Sequence, residues 1–307
     1  MKIREIASGL QFPEGPVAMD DGSVLLVEIA RGTLTRVTRD GRVEVVANMG
    51  GGPNGAAMGP DGAMYVCNNG GFVWRKGPNG ETLPGHQAPD YAGGRIERVN
   101  LATGKVERVY DKCGDNPLRG PNDLVFDRTG GIWFTDLGKT RGRDRDWGGI
   151  YYARADGSAI KEVLFPVLTA NGIGLSPSED TVYFAETESA RLWAIDLTAP
   201  GEIRKQGWPS PHGGRFVAGM GGYQRFDSLA VDSQGNVLVA TLINGGITCI
   251  SPDGKTVQHT PMPDMMTTNL CFGGADMRTM YVTLSGSGKL IAIDDWPVPG
   301  LRLNYQR

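Results

Sequence analysis

The chain has 307 residues, with 31 Lys and Arg against 34 Asp and Glu and a formal net charge of -3. That balance, without a basic block, excludes nucleic-acid binding driven by phosphate neutralisation. Hydrophobic residues make up 40% and charged residues 21%, which excludes a disordered chain and supplies a sizeable core.

The first residues, MKIREIASGL, contain no apolar signal region, and no later stretch is long enough to span a bilayer. A cytoplasmic protein without a membrane partner is the expectation. From Phe12 onwards one plan recurs: a polar residue, a few apolar residues, a turn, then an apolar strand. It reads FPEGPVAMDDGSVLLVE from Phe12, GPNGAAMGPDGAMYVCN from Gly52 and GPNDLVFDRTGGIWFTD from Gly120. It returns as TANGIGLSPSEDTVYFAE from Thr169, RFDSLAVDSQGNVLVAT from Arg225 and TTNLCFGGADMRTMYVT from Thr267.

The polar anchors are Glu14, Asn54, Asn122, Asn171, Asp227 and Asn269. In four units a turn glycine follows at a fixed offset: 22−14, 62−54, 130−122 and 235−227 all equal 8. Each unit carries a later strand of period-2 alternation: TLTRV, RIERV, GIYYA, RLWAI, GITCI and KLIAI. Four-stranded propeller blades take about 40–50 residues, and six fill the chain. The pattern predicts an all-β, six-bladed β-propeller of antiparallel blades around a central channel, spanning 1–307 as a single domain. The segment Ile3–Ala7 is expected to complete the last blade and remove exposed sheet edges.

Excess length falls in three places: between Asn54 and Asn122, in the charged loop Lys139–Trp147, and at Gly201–Gly222. Such loops are where substrate selection is commonly made, although they are equally compatible with plain surface excursions. Cys67, Cys113, Cys249 and Cys271 show neither a CxxC pair nor metal-finger spacing, and all but Cys113 lie in apolar runs that favour burial. His86, His212 and His259 lie far apart in expected loops, so an H-E-x-x-H zinc site is absent. No G-x-S-x-G elbow, phosphate-binding loop or dinucleotide fingerprint occurs.

In a propeller the innermost strands surround the channel, so the six anchors form a ring of two carboxylates and four carboxamides. Such oxygen donors suit a hard divalent cation. Each anchor taken singly is also a plausible turn cap; six at equivalent places favour a common site. Asn54 and Asn269 are its weakest members.

At these anchors the sequence resembles the senescence marker protein, gluconolactonase and luciferin-regenerating enzyme family, most specifically at FPEGPV, at GPNDLVFDRTGGIWFTD, and at ANGIGLSP with FDSLAVDSQGNV. The resemblance implies one divalent metal, with Ca²⁺ preferred over Mg²⁺, Mn²⁺ or Zn²⁺, held by Glu14, Asn171 and Asp227. Asn122 is implied as a further ligand or a substrate contact; Asn54, from its place in the ring, is a candidate substrate contact. Some members carry an arginine two places before the equivalent of Asn122, whereas here Arg119 lies three before it. Arg119 is a substrate-contact candidate that reads equally as a surface charge. The implied partner is a small lactone, hydrolysed by activated water with Asp227 as general base and Asp123 as its rival. A calcium-dependent hydrolase of phosphorus esters, like diisopropyl fluorophosphatase, and a non-catalytic binding propeller are the alternatives. Oligomeric state is not legible.

Overall fold

A computed structural model of the protein describes residues 2–307. Six four-stranded antiparallel sheets form the blades, and the fourth carries one additional strand. Their innermost strands are Pro13–Ala18, Pro53–Met58, Pro121–Phe126, Ala170–Leu175, Arg225–Val231 and Thr267–Gly273. Each packs against its neighbours on both sides, the sixth against the first, so the ring closes. The anticipated alternating segments are the third strand of every blade. Ile3–Ala7 pairs with Lys289–Ile293, with Ile3 opposite Ile293 and Glu5 opposite Ile291, and thereby completes blade 6 from the opposite end of the chain.

The turn at offset eight has a backbone requirement. Gly22, Gly62, Gly130 and Gly235 sit at φ 82°, 76°, 80° and 83°, a region open to glycine at low cost. Blades 4 and 6 lack the glycine yet keep the conformation. Glu179 (179−171 = 8) has φ 57° and Met277 (277−269 = 8) has φ 58°. Other contacts hold these strained residues: Glu179 ties down Arg128 and Asn304, and the Met277 side chain is buried in the seam between blades 5 and 6.

The core lies between blades rather than inside them. One cluster joins Trp133, Ile150 and Leu164 of blade 3 to Val182, Phe184 and Trp193 of blade 4. Another joins Leu192 and Ala194 to Phe226, Val237 and Val239 of blade 5. Burying both sheet faces is what makes the middle strands almost continuously apolar.

The added lengths take three forms. Residues 69–94 and 137–147 leave from the anchor end of blades 2 and 3, the former carrying a hairpin of Phe72–Lys76 and Thr82–Gln87. In blade 4 the fourth strand is split into Glu202–Arg204 and Arg215–Gly219, and the excursion between them leaves at the outer edge. Trp208 on that excursion is 95% exposed. Two expectations are corrected. His86 and His259 lie in strands rather than loops, whereas His212 does lie in a loop, buried against Trp193 and Phe184. Cys249, on the third strand of blade 5 opposite Gln258 of the outer strand, is only half-buried, while Cys67 and Cys271 are buried; all four thiols are free.

At the end of the channel away from the anchors the C-terminal tail crosses the ring. The Leu301 amide donates to the carbonyl of Val231 in blade 5. Asn304 reaches Phe126 in blade 3, and the Gln306 amide donates to the carbonyls of Ala18 and Phe272 in blades 1 and 6.

Candidate active site

Every innermost strand begins with an irregularity in its pairing at the anchor. The register shifts between Glu14 and Val17, Pro53 and Ala56, Pro121 and Leu124, Ala170 and Ile173, Phe226 and Leu229, and Thr267 and Asn269. A bulge breaks the strict alternation of a strand and re-aims its side chains. Simple period-2 reading therefore misses which residues here face the axis.

The anchors are buried at the mouth of the channel. Glu14, Asn54, Asn122, Asn171 and Asn269 are each at most 5% exposed, and Asp227 is half-buried. Hydrogen bonds run from blade to blade. Asn269 Nδ2 donates to Glu14 Oε2 at 2.8 Å, and the Gly15 amide donates to the same oxygen at 2.9 Å. Ser228 Oγ donates to Asn171 Oδ1 at 3.4 Å, while Asn171 Nδ2 donates to Thr187 Oγ1 at 3.0 Å. Thr135 Oγ1 of blade 3 donates to the Asn171 carbonyl at 2.5 Å.

Asp123 joins the ring as a third carboxylate, which revises the expected count of two. It occupies the place after the anchor, where blades 1, 2 and 4 have Gly15, Gly55 and Gly172. A Cβ on Gly55 would lie 2.6 Å from Asp123 Oδ1, so the small neighbour is what admits the carboxyl group. Below this layer the channel is apolar, lined by Val17, Leu124, Ile173 and Leu229 and floored by Leu301 and Leu303.

All three acids are raised above the usual carboxylate range. Burial pushes Glu14 up to about 7, against the hydrogen bonds from Asn269, the Gly15 amide and Thr268. Burial, reinforced by the charge of Glu14, pushes Asp123 up to about 7. Asp227 is raised well above the carboxylate range, first by burial and then by Glu14 and Asp123, with the Asn171 carboxamide opposing. Among the described residues no three His, Cys, Asp or Glu side chains cluster closely enough to chelate an ion alone. A cation here needs the carboxamides as well.

The donor set fits a divalent, oxygen-preferring ion. Two hydrogen bonds hold Glu14 Oε2, and the buried Asn122 Oδ1 has no hydrogen-bond partner. Neutral amide oxygens combined with carboxylates are ordinary calcium ligands. Arg119 is exposed. Its backbone amide donates to Asp136 and its carbonyl accepts from Tyr91, so the backbone is anchored while the side chain reaches solvent.

Sequence reasoning missed two buried polar residues behind this ring. Asn69 (2% exposed) and Lys139 (1%) fill the space beside the first residues of blades 2 and 3. Lys139 had been read as part of a charged surface loop. It is instead enclosed by the Phe72 ring, 4.0 Å from its centroid, and by the Gly71 carbonyl at 2.7 Å. The signal available was the pair of glycines, Gly52 and Gly120, that leave room for them.

Six antiparallel blades with acids and carboxamides gathered at one end of the axis define a six-bladed propeller with a polar axial site. A family model described as the SMP-30/Gluconolactonase/LRE-like region matches residues 12–286. The chain belongs to that family. It is 25% identical to the gluconolactonase of Zymomonas mobilis over 316 aligned positions, covering 92% of this chain and 79% of the relative. It is 29% identical to lactonase drp35 of Staphylococcus saprophyticus, covering 83% and 71%. Among solved structures, a calcium-binding regucalcin from Agrobacterium tumefaciens superposes with a TM-score of 0.73 at 20% identity, covering 97% and 94%.

Proposed function

We propose that this protein is a lactone hydrolase holding one divalent cation, preferably Ca²⁺, through Glu14, Asn171 and Asp227, with Asn122 beside them. Relatives named gluconolactonase and lactonase support the reaction class, and the calcium-binding description of the regucalcin neighbour supports the metal. The observation that carries the reading is the gathering of three carboxyl groups, Glu14, Asp123 and Asp227, with the unpartnered Asn122 Oδ1 at one end of the channel, where the charge of Glu14 raises both aspartates. Acids arranged at such cost in a fold are characteristic of sites that bind a counter-charge.

A divalent cation bound there supplies positive charge for the oxyanion that forms as the lactone carbonyl is attacked. The chain's own residues do the proton work. Asp227 accepts a proton from the attacking water as its oxygen bonds to the carbonyl carbon. The acyl–oxygen bond of the ring then breaks, and the proton held by Asp227 passes to the departing ring oxygen, leaving the open hydroxy acid. The Asn171 carboxamide, held by Thr187 and Ser228, favours the charged form of Asp227. The half-buried Asp227 suits this task better than Asp123, which is 7% exposed, and which spends Oδ1 on the Leu124 amide.

Metal analysis of the purified protein tests the reading, together with hydrolysis of aldonolactones by wild type and Glu14→Gln. Wild type is expected to carry about one equivalent of divalent metal; the variant is expected to lose both metal and turnover. A Glu14→Gln protein that hydrolyses lactones at the wild-type rate after chelation would overturn it.

A further inference from the structure

The innermost strands of blades 2 and 3 are reached through Gly52 and Gly120, each two residues before an anchor carboxamide (54−52 = 2 and 122−120 = 2). Neither position has room for a Cβ. At Gly52 it would lie 2.4 Å from Asn69 Oδ1 and 2.6 Å from the Gly71 amide nitrogen. At Gly120 it would lie 2.6 Å from the Gly138 carbonyl and 3.3 Å from Lys139 Cδ. Asn69 and Lys139 therefore occupy the arc just outside Asn54 and Asn122.

Their hydrogen bonds fix the Asn69 amide in one sense. Its Oδ1 accepts from the Gly71 amide at 2.8 Å and from Lys139 Nζ at 3.4 Å. The flipped amide would set an NH₂ against two donors, so the orientation is determined by its partners. Nδ2 is then left buried with no protein partner, a costly state for a polar group. On the adjoining blade, Asn122 Oδ1 is a buried acceptor in the same condition, and its two lone pairs can meet a cation and a hydroxyl together. One free donor and one free acceptor on neighbouring blades match a hydroxyl group, which accepts and donates at once.

We propose that Asn69 is a specificity-determining residue whose Nδ2 donates to a hydroxyl of the bound lactone, selecting polyhydroxylated, sugar-derived lactones, with Lys139 positioning it. This inference rests on the lactonase reading above and names its substrate class. Lys139 acts through Asn69: its three donors go to Asn69, to the Gly71 carbonyl and towards the Phe72 ring, and none forms a salt bridge among the described residues.

The test compares D-glucono-1,5-lactone with δ-valerolactone, which has the same ring size and no hydroxyls, using the full chain loaded with Ca²⁺. Wild type is expected to favour gluconolactone. Asn69→Asp keeps the size and the acceptor for Gly71 and Lys139 but cannot donate. It is expected to lower the ratio of the two kcat/KM values by about tenfold or more, mainly through KM for gluconolactone. Asn69→Leu is expected to do the same, and Lys139→Met to move the ratio in the same direction by less. An unchanged ratio in Asn69→Asp, or a wild type that prefers valerolactone, overturns the inference and leaves the lactonase reading standing. A wild type inactive on both lactones overturns that reading, and the inference with it.

Discussion

Asn269 of blade 6 donates its Nδ2 to Oε2 of Glu14 in blade 1 at 2.8 Å, so the seam that closes the ring is also a wall of the site. In the sequence Asn269 ranks with Asn54 as one of the two weakest members of the ring, yet it steadies the first carboxylate. Asn269→Leu should weaken Ca²⁺ binding by about tenfold or more, since a hydrogen bond to a buried charge is worth roughly 1.5–3 kcal/mol. Isothermal titration calorimetry reads this directly, and an unchanged Kd would sink the idea.

The roles of the two aspartates separate by substitution. Asp227→Asn should cut kcat by about 10²–10⁴ if it carries the proton. Asp123→Asn, one place removed and hydrogen-bonded to Leu124, should retain far more turnover. Single-turnover measurements with metal content checked in each variant would decide it; the reverse order would reassign the base.

The raised carboxyls make stability depend on pH in a definite sense. Unfolded Asp and Glu titrate near ~4, whereas Glu14 and Asp123 are pushed to about 7 in the fold. Between those values the folded chain holds more protons than the unfolded chain, so stability falls as pH rises through the window. Chelated protein should melt at a lower temperature at pH 7.5 than at pH 5. Adding Ca²⁺ should raise Tm more at pH 7.5, where the acids are available as carboxylates. Equal calcium shifts at both pH values would contradict the coupling.

The C-terminal tail is expected to act as a floor. Gln306 alone links the carbonyls of Ala18 and Phe272. Gln306→Ala should cost about 1 kcal/mol, a Tm decrease of roughly 2 °C in a chain of this size. Deleting residues 301–307 should cost several times more and expose the apolar channel to a hydrophobic dye. Differential scanning calorimetry and dye fluorescence would register both.

The repeat was legible because its backbone demand is written in the chain: a polar anchor, then a left-handed turn eight residues on. Even Glu179 and Met277, which break the glycine pattern, keep the turn's conformation. The six anchors were legible for the same reason. Asp123 was not counted with them because the bulge that turns it towards the axis leaves no mark on hydrophobic alternation. Lys139 escaped notice because a charged residue beside Arg141, Arg143 and Asp144 reads as solvated. Its burial follows from the excursion 69–94, which folds back from blade 2 and sets Phe72 and Gly71 against it, and no local pattern announces that contact. The split fourth strand of blade 4 was equally hidden.

Blade 6 takes three strands from one end of the sequence and its outer strand, Ile3–Ala7, from the other. During synthesis Ile3–Ala7 must therefore wait for Lys289–Ile293 before it finds its partner. The circle itself has no privileged starting point. Cutting the chain at a turn between two other blades and joining the present termini with a flexible linker should relocate this latch without dismantling the wheel.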